Sequence, residues 1–177
     1  KIYICIDLKS FFASCECSKR NLDPFTTNLV VADKTRGENA LCLAITPAMK
    51  KLGIKNRCRT KDIPGDIPYT IAKPRMKMYM EYSAKIYGIY LRYVSSKDVH
   101  VYSIDECFID ITSYLKYYKK KPKEFAEMLM SAVFEETGIT ATVGIGTNLY
   151  LAKIAMDIIA KHVDDNIGML TEYTYRK

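Results

Sequence analysis

Three acidic side chains, Asp7, Asp105 and Glu106, have the residue types and the settings for chemistry. Asp7 ends the apolar run Ile2-Tyr3-Ile4-Cys5-Ile6, and Asp105-Glu106 lie between a pair of strand-like segments, 100–104 and 107–111. Carboxylates that meet on one edge of a sheet repel one another and need protonation or a cation to persist. Oxygen donors without a nearby His or Cys select a hard ion such as Mg²⁺. Two such ions about 3.5–4 Å apart can activate an attacking hydroxyl and stabilise the leaving oxygen of a phosphoryl group, with no side-chain nucleophile. Singly, an Asp after a strand is a turn former and an Asp-Glu pair at a hairpin tip is solvated. Here Ser103-Ile104-Asp105-Glu106-Cys107-Phe108 embeds two charges between apolar strand residues, where water is scarce.

The elements that must position these groups follow from periodicity and punctuation. The run 2–6 is rich in β-branched residues and reads as a strand buried on both faces. Ser10 is a candidate N-cap for a short helix over 11–16. From 21 to about 75 the spacing of Pro and Gly marks a small separate lobe, with strands at 29–32 and 40–43 and a helix over 47–52 that Gly53 ends. Tyr79, Tyr82, Ile86, Ile89, Tyr90 and Tyr93 recur at helical spacing over 76–93, and this tyrosine stripe reads as a packing face. The two segments flanking Asp105-Glu106 form a tight hairpin. A helix over 122–136, a strand over 139–145, a helix over 148–160 and an edge strand over 167–170 complete the order. Strand, helix, two hairpin strands, helix, strand is the βαββαβ order of a ferredoxin-like sheet, in which the Asp7 strand and the hairpin lie side by side.

Composition bounds the partners. A chain of 177 residues with 49% hydrophobic content can bury one core with a smaller lobe attached. A formal charge of +7 favours polyanions such as nucleic acid, nucleotides or an anionic membrane surface. The six cysteines lack CxxC or His-rich zinc spacing and read as reduced, buried residues. No stretch is long enough to cross a bilayer and no basic-then-apolar leader is present, so the expectation is a cytoplasmic protein without a membrane partner. Lys1 in place of Met, and the polar tail 171–177, give the expectation of a piece of a longer product.

Ile4-Cys5-Ile6-Asp7-Leu8-Lys9-Ser10-Phe11-Phe12-Ala13-Ser14-Cys15-Glu16 resembles the opening motif of Y-family (translesion) DNA polymerases. Tyr102-Ser103-Ile104-Asp105-Glu106-Cys107-Phe108-Ile109-Asp110 resembles their second motif. Val143-Gly144-Ile145-Gly146-Thr147-Asn148, running into Leu151-Ala152-Lys153-Ile154-Ala155, is similar to a third. The order and spacing are family-like over nearly the whole chain, and the UmuC-like branch is the nearest. The resemblance implies an α+β fold: a ferredoxin-like palm from 1–17 and 76–170, a small α/β fingers lobe from 18–75, and at 171–177 the start of a linker to a thumb absent from this chain.

It also implies a template-directed polymerase acting in DNA damage tolerance and the SOS response, with low fidelity. A primer 3′-OH would attack the α-phosphate of a dNTP, and two Mg²⁺ ions would be held by Asp7, Asp105, Glu106 and the main-chain carbonyl of Leu8. Phe12 would be the steric gate that excludes a ribose 2′-OH. Backbone amides around Phe11 and Phe12 would touch the triphosphate. Lys50 and Lys153 would supply it with cations, and Lys153 interrupts an apolar helical face where a solvated charge is misplaced.

Two departures stand out. Lys9 replaces a common second Asp, which spares the metals, and Pro47 stands where many members place a phosphate-binding Tyr, leaving Thr46 as a hydroxyl donor. Arg57, Arg59 and Lys61 read as a solvated loop within reach of phosphates. Lys116-Tyr117-Tyr118-Lys119-Lys120-Lys121, placed in a connecting loop, interleaves aromatics with charge as nucleic-acid binders do. The expected partners are primer-template DNA and dNTP, with a sliding clamp reached through an absent C-terminal region. The piece alone is expected to bind DNA weakly and polymerise poorly or not at all. Two alternatives remain: a nucleotidyl cyclase-like enzyme, which needs no template, and a non-catalytic DNA-binding or regulatory relic.

Overall fold

The computed structural model describes residues 1–175; the final two residues of the expected linker lie outside the described residues. In chain order the elements are β1 (Tyr3–Leu8), α1 (Phe11–Lys19), β2 (Leu29–Val31), β3 (Ala44–Ile45), α2 (Pro47–Lys51), β4 (Thr70–Ala72), α3 (Met76–Tyr90) and β5 (Val99–Ser103). They continue with β6 (Glu106–Asp110), α4 (Thr112–Tyr118), α5 (Pro122–Thr137), β7 (Ala141–Gly146), α6 (Leu149–Ile154), β8 (Ile167–Leu170) and α7 (Glu172–Tyr175). Contacts cluster in two units, one formed by Lys1–Leu8, Ser83–Glu136 and the chain from Thr140 onward, the other by Lys9–Tyr82 with Thr137–Ile139.

The first unit is built on a five-stranded sheet of order β5-β6-β1-β7-β8. β1 is antiparallel to both β6 and β7, and β8 lies parallel to β7 at the edge. Without that edge strand, this is the strand order of the ferredoxin-like βαββαβ arrangement. The apolar run of β1 explains its central place: Ile4 and Ile6 are buried and so are Ile109, Val143 and Ile145 on its neighbours. α5 presents Phe125, Leu129 and Val133, four residues apart, as its buried stripe.

Two glycines in β7 and one in β8 let the chain after Asn148 lie against the sheet. A Cβ on Gly144 would stand 2.0 Å from the Ala152 carbonyl oxygen, and one on Gly146 2.4 Å from the Ala152 nitrogen. A Cβ on Gly168 would stand 2.5 Å from the Ala155 oxygen. Asn148 starts α6 as its N-cap, its side chain accepting from Leu151 N at 2.8 Å. The single helix expected over 148–160 is interrupted: α6 passes into a π-helical turn at Ala155–Ile159 and a 3₁₀ turn at Ala160–His162. Ala155, Met156 and Ala160 stay buried through the change of helix type.

α4 corrects another expectation, since the run 116–121 placed in a connecting loop begins inside a helix, Thr112–Tyr118, that ends at Lys119, left-handed at φ 54°. Tertiary bonds fix this short helix. Tyr114 Oη donates to Asp98 Oδ2 at 2.5 Å and Tyr118 Oη to the Tyr93 carbonyl at 2.8 Å.

The second unit has a three-stranded sheet of order β3-β2-β4, with β2 antiparallel to β3 and parallel to β4. Val30, Ala32, Cys42, Ile45, Met49, Ile54 and Ile63 form its core. Thr46 caps α2, Pro47 takes the first helical position, and Gly53 at φ 85° ends it. Gly53 N donates to Lys50 O and Ile54 N to Met49 O, the paired bonds of a Schellman motif. The strand expected over 40–43 falls instead at Ala44–Ile45. The segment before it splits its bonding, with Leu43 N donating to Val31 O while Leu41 bridges Arg59. Ser10 does not cap α1: it is left-handed at φ 47° and makes no capping bond, and Ser14 Oγ donates to the Lys9 carbonyl instead.

Candidate active site

The antiparallel register of β1 and β6 sets Asp7 directly opposite Glu106. The hairpin turn is Ile104-Asp105, so Glu106 is the first residue of β6 rather than half of the turn. Three bonds hold this tip. Leu8 N donates to the Asp105 carbonyl at 2.9 Å, Ser83 Oγ to the Ile104 carbonyl at 2.6 Å, and Ser103 Oγ to Asp105 Oδ1 at 2.9 Å. A register shift between Val101 and Ser103 marks a bulge beside the turn, a device that re-aims side chains near sites.

Asp7 feels the consequence of this crowding. Burial, then the charges of Asp105 and Glu106, push its carboxyl up to about 7, against the opposing pull of Lys161 and Lys153. Glu106 is buried, with Oε1 accepting from Lys153 Nζ at 2.5 Å and from the Cys5 thiol at 3.2 Å. Burial alone would lower the Lys153 pKa, but Glu106 and Asp157, the latter 3.5 Å away, hold it above the ordinary lysine value. Lys153 Nζ also lies 5.5 Å from the centroid of the Tyr102 ring. Among the described residues, no three His, Cys, Asp or Glu side chains form a ready-made metal cluster. The donor chemistry nonetheless suits a hard cation. The acids are oxygen donors only, and their mutual repulsion at Asp7 is what a cation relieves.

Lys161 and Tyr102 do not stand out in the sequence. Lys161 lies just past the expected end of its helix, and its spacing of eight from Lys153, about two helical turns, is the available signal. Tyr102 is legible only as a strand residue within the second motif.

The second unit carries the other candidate nucleotide contacts. Phe11 is buried in the core. Phe12 is partly exposed and stacks on Tyr79, with centroids 4.6 Å apart and planes at 16°. Tyr79 Oη in turn donates to Glu16 Oε2 at 2.6 Å, and Arg75 and Arg20 also donate to this fully buried carboxylate. Burial alone would raise the Glu16 carboxyl, but the bonds from Arg75, Tyr79 and Arg20 outweigh it and hold it below the usual carboxylate range.

Thr46 is fully buried. Its hydroxyl proton goes to the Thr27 carbonyl at 2.7 Å and its oxygen accepts from Leu29 N and Met49 N, which leaves no proton for a phosphate. Lys50 is exposed in the last turn of α2, and burial followed by the Lys50 charge lowers the pKa of Lys9. Arg59 is engaged locally, donating to the Asn39 carbonyl at 2.6 Å, while Arg57 and Lys61 are exposed. No helix among the described residues is long and apolar enough to cross a membrane.

Known proteins resemble this chain in sequence and in fold. The chain is 38% identical over 169 residues to the putative UV-damage repair protein UvrX of Bacillus subtilis, covering 95% of this chain and 39% of that protein. It is 34% identical over 175 residues to DNA polymerase IV 2 of the same organism, covering 97% and 41%. The chain thus spans about two fifths of the length of these curated relatives. The fold matches the crystal structure of DinB from Sulfolobus solfataricus at TM-score 0.76 and 24% identity, over 98% of this chain and 49% of that one. The insertion ternary complex of Dbh DNA polymerase matches at TM-score 0.78 and 23% identity, over 98% and 50%. The model of the impB/mucB/samB family matches residues 6–157, which takes in Asp7, the Asp105-Glu106 turn and Lys153, and the chain therefore belongs to this family of Y-family polymerases.

Proposed function

We propose that this chain is the palm and fingers portion of a template-directed, translesion-type DNA polymerase, with 1–17 and 76–170 as palm and 18–75 as fingers. The observation that carries the reading is the pairing of Asp7 with Glu106 on adjoining strands, with Asp105 in the turn directly before Glu106. Asp7, Asp105, Glu106 and the carbonyl of Leu8 would hold Mg²⁺, two ions in all. Bound there, Mg²⁺ would activate the primer 3′-OH and neutralise charge on the departing pyrophosphate. Lys153 holds Glu106 in the meantime and becomes available to the triphosphate when that pair opens. Lys161 adds a second positive charge beside Asp7. Phe12, backed by Tyr79, has the rigidity a steric gate for the sugar requires. Primer-template DNA and dNTP are the partners, with a clamp engaged outside this chain.

The test is primer extension by the full-length parent protein with dNTPs and Mg²⁺, beside its Asp105→Ala/Glu106→Ala variant. Template-directed extension that falls at least about a thousandfold in the variant is expected. Extension without a template would favour the cyclase-like reading, and none from an intact, DNA-binding parent the non-catalytic one.

A further inference from the structure

Two of the six cysteines stand apart from the polymerase chemistry. Leu41 and Arg59 pair in an antiparallel bridge, and Cys42 N donates to the Cys58 carbonyl at 2.8 Å, so Cys42 and Cys58 face each other across two strand-like segments. The Cys58 thiol donates to the Cys42 sulfur with 3.7 Å between the sulfurs. Hydrogen-bonded antiparallel partners have Cα atoms about 5.5 Å apart, inside the range that a disulfide spans. Cys42 is buried, Cys58 is half-buried, and both thiols are free. Cys5, Cys15, Cys17 and Cys107 are buried.

We propose that Cys42 and Cys58 are an oxidative modification site, a dithiol that closes to a disulfide by exchange with a low-molecular-weight disulfide such as oxidised glutathione. Cys58, the accessible sulfur, loses its proton to solvent and attacks one sulfur of the reagent. The reagent S–S bond breaks, one glutathione leaves as thiolate and takes up a proton, and a mixed disulfide remains on Cys58. Cys42 then gives its proton to solvent, attacks the Cys58 sulfur and expels the second glutathione, which is protonated in turn. Two protein thiols are oxidised and one glutathione disulfide is reduced to two thiols. The new bond encloses 42–58, the segment that carries β3 and α2 with Thr46 and Lys50, and so ties α2 to the turn that follows Cys58. Burial, followed by the hydrogen bond and charge of Cys58, pushes Cys42 up to about 12, so its attack on the mixed disulfide is slow.

The experiment exposes the reduced, folded chain to oxidised glutathione, quenches it with acid, and counts free thiols after unfolding. Loss of two of the six thiols is expected, with a proteolytic peptide pair joining Cys42 to Cys58 and full recovery in dithiothreitol. In Cys42→Ser the exchange should stop at a glutathione adduct on Cys58. Six remaining thiols, a lasting adduct on Cys58 in the unsubstituted chain, or a link to any other cysteine would overturn the proposal. The unsubstituted chain decides the matter if the variant does not fold.

Discussion

Glu106 and Glu16 are both buried carboxylates, yet they are neutralised in different ways. Glu106 depends on Lys153, a single cation whose side chain is 33% exposed, whereas Glu16 is met by Arg20, Arg75 and Tyr79. Replacing Lys153 by Met leaves Glu106 with only the Cys5 thiol, and the variant should lose about 1–2 kcal/mol of unfolding free energy in urea titrations at neutral pH. Glu16 couples stability to acid. Its folded pKa lies below the unfolded one, so its contribution is full above about pH 4.3 and disappears as pH falls through the folded value. Glu16→Gln should therefore cost on the order of 2 kcal/mol at pH 7 and progressively less below about pH 4, measured by thermal melts across that window. An equal loss at both pH values would show that packing, not the charge, is what Glu16 supplies.

At the scale of elements, the close seat of α6 on β7 places Lys153. Gly144→Ala would put a methyl 2.0 Å from the Ala152 carbonyl oxygen, a backbone atom that cannot swing aside. The expected result is a loss of about 3 kcal/mol or more, read from denaturation, together with a weakened Lys153–Glu106 pair. A neutral Gly144→Ala would mean that α6 can lift off the sheet. The fold is legible here to differing degrees. Long, strongly patterned segments mark β1, α3, α5 and the hairpin nearly in place. The 40–43 strand and the start of the 116–121 loop are misread because bonds to Val31, Arg59, Asp98 and Tyr93, distant in sequence, decide the conformation there.

For the whole molecule the governing quantity is charge. A formal +7 should make binding to DNA strongly dependent on salt, with log affinity falling linearly against log salt concentration in anisotropy titrations on duplex oligonucleotides. A flat salt response would argue that the positive surplus is not used to hold a phosphate backbone.

The sequence alone singled out Asp7, Asp105 and Glu106 as the candidate acids and marked the strand-like segments beside them, because a charge set among apolar residues is visible in one dimension. Spacing also determined the βαββαβ order and the Pro47 start and Gly53 end of α2. Tertiary structure alone decided the register that sets Asp7 opposite Glu106, the hold of Lys153 on Glu106, the stack of Phe12 on Tyr79 and the facing thiols of Cys42 and Cys58. Each joins residues far apart in the chain, and their separation in space is set by strand register and helix seating, which local residue preferences do not encode.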